Sequence, residues 1–167
     1  MYHIQPISQK DNSKIAEVIR TVLIEHDVPK VGTAYADSSL DSMYETYLQE
    51  KACYWVITSE DKVYGGAGIA PLENGPEGVC ELQKMYFLDE VRGKGLGVAM
   101  MKTCLKFAKE QGFKKCYLET MPNMNEAQKL YQKFGFEYLK SPMGCTGHTS
   151  CPVWLLLDLD KFEDASI

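Results

Sequence analysis

Residues 79–120 constrain the fold of this 167-residue chain more than any other segment. Residues 79–88 read as a strand, and Arg92-Gly93-Lys94-Gly95-Leu96-Gly97 forms a glycine-rich turn. Val98, Met101, Leu105 and Ala108 then mark one face of a helix that Gly112 closes, and residues 115–120 alternate as a second strand. Strand, helix and strand in one sheet make a parallel unit with a right-handed crossover, because only that hand packs the helix back onto the twisted sheet.

Other elements fall around this unit. Residues 2–7 read as a short strand; Asp11, Asn12 and Ser13 can cap a helix whose apolar face is Ile15, Val18, Ile19, Val22 and Leu23. After a polar loop with Pro29 and Gly32, residues Leu40, Met43, Tyr44, Tyr47 and Leu48 predict a second helix. The run Cys53-Tyr54-Trp55-Val56-Ile57 turns back through Glu60-Asp61 into Val63-Tyr64-Gly65-Gly66-Ala67-Gly68-Ile69, a hairpin whose glycines imply close approach of a neighbour. Asn123 and Glu126 predict the start of a helix lined by Met124, Ala127, Tyr131 and Phe134 and closed by Gly135. Alternation over 135–139 and 153–159 adds two late strands. The expected architecture is one domain over residues 1–167, an α/β mixed sheet with about four helices.

One irregularity stands out in the strand over 79–88. Cys80 and Leu82 share one parity, Met85 and Phe87 the other. A strand changes face only by inserting a residue, which predicts a β-bulge near Gln83-Lys84.

Composition narrows the partners. Eighteen Lys and Arg against 23 Asp and Glu give a net charge of −5, so no basic field draws the chain to nucleic acid or to an anionic membrane. No apolar run is long enough to span a bilayer and no export signal is evident, so the expected location is cytoplasmic. The six cysteines are then expected to be thiols, with Cys53, Cys80, Cys104 and Cys116 inside strands or helices. Cys145, His148 and Cys151 have a spacing that a metal site could use, but structural zinc wants four ligands, and a polar loop beside the substrate is the preferred reading.

The glycine-rich turn is where chemistry enters. Its glycines let backbone amides approach an anion, the helix it opens offers unpaired N–H groups, and Arg92 and Lys94 add local cations. Such a terminus suits a diphosphate. A dinucleotide fold would carry its glycines after the first strand of a longer series, and a P-loop would follow Gly93-Lys94 with Ser or Thr rather than Gly95.

Residues 82–88, Arg92-Gly93-Lys94-Gly95-Leu96-Gly97, Tyr117-Leu118-Glu119, Asn125-Glu126-Ala127-Gln128-Lys129-Leu130-Tyr131 and Gly135-Phe136 together resemble the GNAT superfamily of N-acetyltransferases. Its acetyl-CoA signature is matched at Arg92, Gly95 and Gly97. The resemblance implies a GNAT-like fold with acetyl-CoA as co-substrate. It implies pantetheine pairing with backbone around Met85, Tyr86 and Phe87, with Asn125 adding a contact. Diphosphate would sit on amides of Arg92, Gly93, Lys94, Gly95, Leu96 and Gly97, with Val98 at the margin.

The resemblance also implies transfer of acetyl to a primary amine of a small molecule or a peptide N-terminus, directly within a ternary complex. A non-catalytic acyl-CoA-binding or sensor domain is the alternative class. A homodimer fits such folds. An amine is almost wholly protonated at neutral pH, so a base or a desolvating site is required, and the departing thiolate benefits from an acid. Tyr131 matches the position of that acid; its apolar stripe equally fits a core residue. Glu119, at the end of the strand beside the thioester, is the first candidate base and Glu81 the second. Tyr35, Asp37 and His148, in the two unusual loops, are candidates for binding the acceptor.

Overall fold

In the computed structural model, which describes residues 1–164, seven strands form one sheet in the order β1-β2-β3-β4-β5-β7-β6. These are β1 (His3–Pro6), β2 (Cys53–Ser59), β3 (Lys62–Pro71), β4 (Val79–Phe87), β5 (Lys115–Thr120), β6 (Glu137–Tyr138) and β7 (Val153–Asp158). Only β4 and β5 run parallel, and the expected crossover between them is made by a helix over Leu96–Glu110. Every other pairing is antiparallel.

Four α-helices flank the sheet: α1 (Asn12–Glu25), α2 (Met43–Thr46), α3 (Leu96–Glu110) and α4 (Asn125–Lys133). Two cores result, one on each face. Met100, Met101, Cys104, Leu105 and Ala108 of α3 pack with Cys80, Leu82, Cys116, Leu118 and Tyr131, while Ile15, Ile19 and Leu23 of α1 pack with Met43, Tyr54 and Val56. Burial of this many apolar side chains stabilises the layers by roughly 25 cal/mol per Å² of apolar area removed from water.

Three expectations need correction. The second predicted helix is one turn long: Leu40 lies in a 3-10 turn before it, and Leu48 is exposed, because Ser42 interrupts the helix and the chain turns again after Tyr47. Asn123 does not cap α4, which starts two residues later behind Met124; the Asn123 amide instead donates to the His26 carbonyl at 2.7 Å, tying the loop before α4 to the end of α1. Asp11 precedes α1, but its carboxylate accepts from the backbone and hydroxyl of Ser8 rather than from the helix.

The bulge is present, and it places the site. Gly68 pairs with Gln83 and Gly66 with Tyr86, so Lys84 and Met85 together oppose Ala67 alone. Lys84 takes the left-handed conformation, φ +49°. Cys80, Leu82, Met85 and Phe87 consequently all face the α3 side, while Tyr86 turns to the α1 side. Gly66 and Gly68 fit this geometry: a Cβ on either would lie 2.5–2.6 Å from the Tyr54 ring, whose hydroxyl reaches across to donate to the Lys84 carbonyl at 2.7 Å.

Candidate active site

Beyond Glu81 and Tyr117 the parallel strands β4 and β5 no longer pair, and the sheet opens. Both strands continue, β4 to Phe87 and β5 to Thr120, so backbone beside the opening lacks a neighbouring strand. The glycine-rich turn stands at the end of β4. Gly93 and Gly95 have φ of +72° and +77°, a conformation that costs other residues about 1–2 kcal/mol.

Ala99 is the first amide of α3 to find a carbonyl, that of Gly95 at 3.1 Å. The amides of residues 93–98 have no acceptor among the described residues. This row of donors, backed by the positive end of a 15-residue helix, fits a diphosphate. Gly97 serves packing instead: a Cβ there would lie 3.2 Å from Leu130, so its absence lets α4 approach α3.

Two cofactor-side expectations are narrowed. The Arg92 guanidinium is engaged by Glu25 at 2.7 and 3.1 Å and donates from Nε to the Phe87 carbonyl at 2.9 Å. Arg92 therefore braces the turn against α1 and β4 instead of offering a free cation, and the Phe87 carbonyl is already occupied. Lys94 is exposed, with Nζ 3.5 Å from the Tyr2 hydroxyl, and Asn125 is exposed with no side-chain hydrogen bond among the described residues.

On the α1 side the opening leads into a cavity lined by Glu81, Gln83, Lys84, Tyr86, Glu119, His148 and Cys151, with an apolar wall that includes Val28, Ala34, Met121 and Met124. Both candidate bases face it, and they differ in environment. Glu81 is only 5% exposed. Burial raises its carboxyl, the Gln83 hydrogen bond lowers it, and the Glu119 charge raises it further, leaving it at about 7. Glu119 is half-buried and accepts a hydrogen bond from the Thr146 hydroxyl. Glu81 is the more deeply buried of the two, and its raised carboxyl lies near the pH at which a general base is best poised.

Tyr131 lies with the core on the α3 face, its ring tilted against Phe136 at 5.9 Å between centroids. Burial pushes its phenol well above the usual value, and the hydroxyl has no hydrogen-bond partner among the described residues. Its ring thus serves the core while its proton remains uncommitted. The two readings of Tyr131 are compatible.

The two unusual loops do meet. Ser150 donates from its backbone to the Gly32 carbonyl at 3.0 Å, and His148 Nε2 lies 2.9 and 3.1 Å from the Asp37 carboxylate oxygens. Lys84 Nζ is a second basic group on Asp37, at 3.2 Å. Burial raises Asp37, but the His148 hydrogen bond and the Lys84 charge outweigh it and hold the carboxyl below its usual range. For His148, burial lowers the imidazole and Asp37 more than restores it. The Tyr35 ring lies beneath Lys30 Nζ at 5.2 Å, and its side chain makes no hydrogen bond to Asp37 or His148 among the described residues.

The same loop bears on the metal reading. His148 Nε2 is engaged by Asp37, Cys145 is exposed with its amide bonded to the Glu73 carbonyl at 2.9 Å, and Cys151 faces the cavity. Among the cavity residues that the sequence reading did not place at the site are Gln83 and Lys84, Cys151 as a cavity wall, and the apolar Val28, Met121 and Met124. The parity shift marked the bulge that carries the first two, but nothing local signalled that a lysine there would be buried.

Comparisons with known proteins agree with this geometry. The model of the GNAT acetyltransferase family matches residues 21–136. A relative from Escherichia coli K12, named as an uncharacterized N-acetyltransferase, is 45% identical over 154 residues, covering 92% of each chain. A GNAT-family acetyltransferase from Staphylococcus aureus Mu50 superimposes with a TM-score of 0.85 at 19% identity, over 95% of this chain and 99% of that one. A phosphinothricin acetyltransferase from Sinorhizobium meliloti, solved in complex with acetyl-CoA, gives 0.75 at 18% identity, over 94% and 88%. The chain belongs to the GNAT family of acetyltransferases, and its seven-stranded mixed sheet with four helices matches the fold of the solved members.

Proposed function

We propose that the protein transfers an acetyl group from acetyl-CoA to a primary amine held in the cavity, with Glu81 as base and Tyr131 as acid. The observation that carries this reading is the alignment of residues 93–98, six amides without acceptors among the described residues, beside an opening that exposes a buried carboxyl poised near pH 7. Acetyl-CoA, when bound, supplies an acyl carbon activated by its thioester. The chain's own residues do the rest.

Amides of residues 93–98 hold the diphosphate, and backbone at Met85 and Tyr86 beside the opening aligns the pantetheine arm, with Asn125 at its edge. Glu81 takes a proton from the acceptor's ammonium, which at an unperturbed pKa near 10.4 is neutral in only roughly one molecule in two thousand at pH 7. As the new N–C bond forms and the C–S bond breaks, Tyr131 gives its proton to the departing sulfur, the nitrogen's second proton, released as the amide forms, restores the Tyr131 phenol, and Glu81 returns the proton it took to solvent. Glu119 holds Thr146, and with it the loop that closes the cavity.

Direct transfer fits the thiols. Cys151, the cysteine that lines this cavity, is pushed up to about 12 by burial and by the Glu119, Asp37 and Glu81 carboxylates, so it is not a thiolate at neutral pH. A binding-only domain would gain nothing from a buried carboxyl tuned to neutrality, and family membership disfavours it. The test is steady CoA release with a panel of amines: turnover with at least one amine is expected, and binding of acetyl-CoA without release across the panel would leave only the sensor reading.

A further inference from the structure

The cavity is electrically two-sided. Glu81 and Glu119 come from β4 and β5; Lys84 and His148 line the same space. Asp37, which pairs with both cations, is not among the lining residues, so it holds them from behind while they face the cavity. Lys84 is only 8% exposed at its side chain, and its one ion pair, at 3.2 Å, leaves ammonium N–H groups unused. A buried ammonium with spare donors is costly unless something fills them.

We propose, building on the acetyl-transfer reading, that the acceptor is a free α-amino acid with an apolar side chain. Its ammonium lies on Glu81, its carboxylate on Lys84 and His148, and its side chain on the wall of Val28, Ala34, Met121 and Met124.

Charge balance favours the same ligand. Asp37 cancels one of the two cations, so an added carboxylate meets a positive pole whenever His148 is protonated. A simple alkylamine would leave that pole unmatched. The apolar wall offers no partner for a charged side chain.

The test compares leucine and methionine with leucinamide, isoamylamine and lysine as acceptors for the full-length protein, by acetyl-CoA-dependent CoA release. The expected result is kcat/KM at least 10-fold higher for leucine than for leucinamide or isoamylamine, and leucine preferred to lysine. In Lys84→Met the acid-over-amide ratio of kcat/KM should fall to near one; Lys84→Arg should keep the preference. Equal or better use of the amide and the alkylamine by the unaltered protein would overturn the proposal. Absence of release with every acceptor would instead overturn the acetyl-transfer reading on which it rests.

Discussion

Gln83 donates from Nε2 to Glu81 Oε1 at 2.5 Å, two residues away on the same face of β4. Its own Oε1 accepts from the Tyr47 hydroxyl at 2.5 Å, so the amide cannot turn round without losing both bonds. This donor favours the charged form of Glu81 against its burial. Removing it in Gln83→Leu should raise the Glu81 pKa by roughly one to two units, given about 1.5–3 kcal/mol for a hydrogen bond to a charged group. The acid limb of the kcat profile should move up accordingly, whereas a structural role alone would lower kcat at every pH equally.

Glu81 should also cost stability in a pH-dependent way. Its folded pKa, about 7, lies above the ordinary 4.5, so the folded state binds the extra proton between these values and stability falls as pH rises through that window. Glu81→Gln should therefore be more stable than the unaltered protein at pH 8, by at most ~3 kcal/mol, and show no gain at pH 4. Urea unfolding at the two pH values checks this.

Tyr131→Phe keeps the ring against Phe136 and removes only the hydroxyl. The expected outcome is turnover reduced by roughly 10²-fold or more, in the range of acid–base contributions, with acetyl-CoA affinity little changed. Calorimetry beside steady-state kinetics separates the two.

The turn can be tested against an internal control. Gly95 and Gly112 both have positive φ, +77° and +84°, and a Cβ would meet nothing within 4 Å at either. Alanine at each should cost a similar ~1–2 kcal/mol of stability. Only Gly95→Ala should weaken acetyl-CoA binding, because Gly112 lies at the far end of α3.

Much of this was legible where a local rule governs. The change of parity between Leu82 and Met85 revealed the bulge, since a strand can reverse its faces in no other way. The positive-φ glycines at 93 and 95 announced a turn with free amides. Illegible were pairings set by tertiary distance: Asp37 meets His148 across 111 residues of sequence, and Arg92 meets Glu25 across 67. The chain alone put Glu119 ahead of Glu81, and nothing local could show the environments that separate them. Both are glutamates on adjacent strands, and only Gln83, Thr146 and the depth of the cavity distinguish them.

The most direct test is the pH dependence of kcat at saturating acetyl-CoA and amine for the unaltered protein, Glu81→Gln and Glu119→Gln. The account predicts an acid limb near pH 7 in the unaltered protein and in Glu119→Gln, and its loss in Glu81→Gln together with a roughly 10²- to 10⁴-fold lower kcat. An acid limb that survives in Glu81→Gln and vanishes in Glu119→Gln would contradict it.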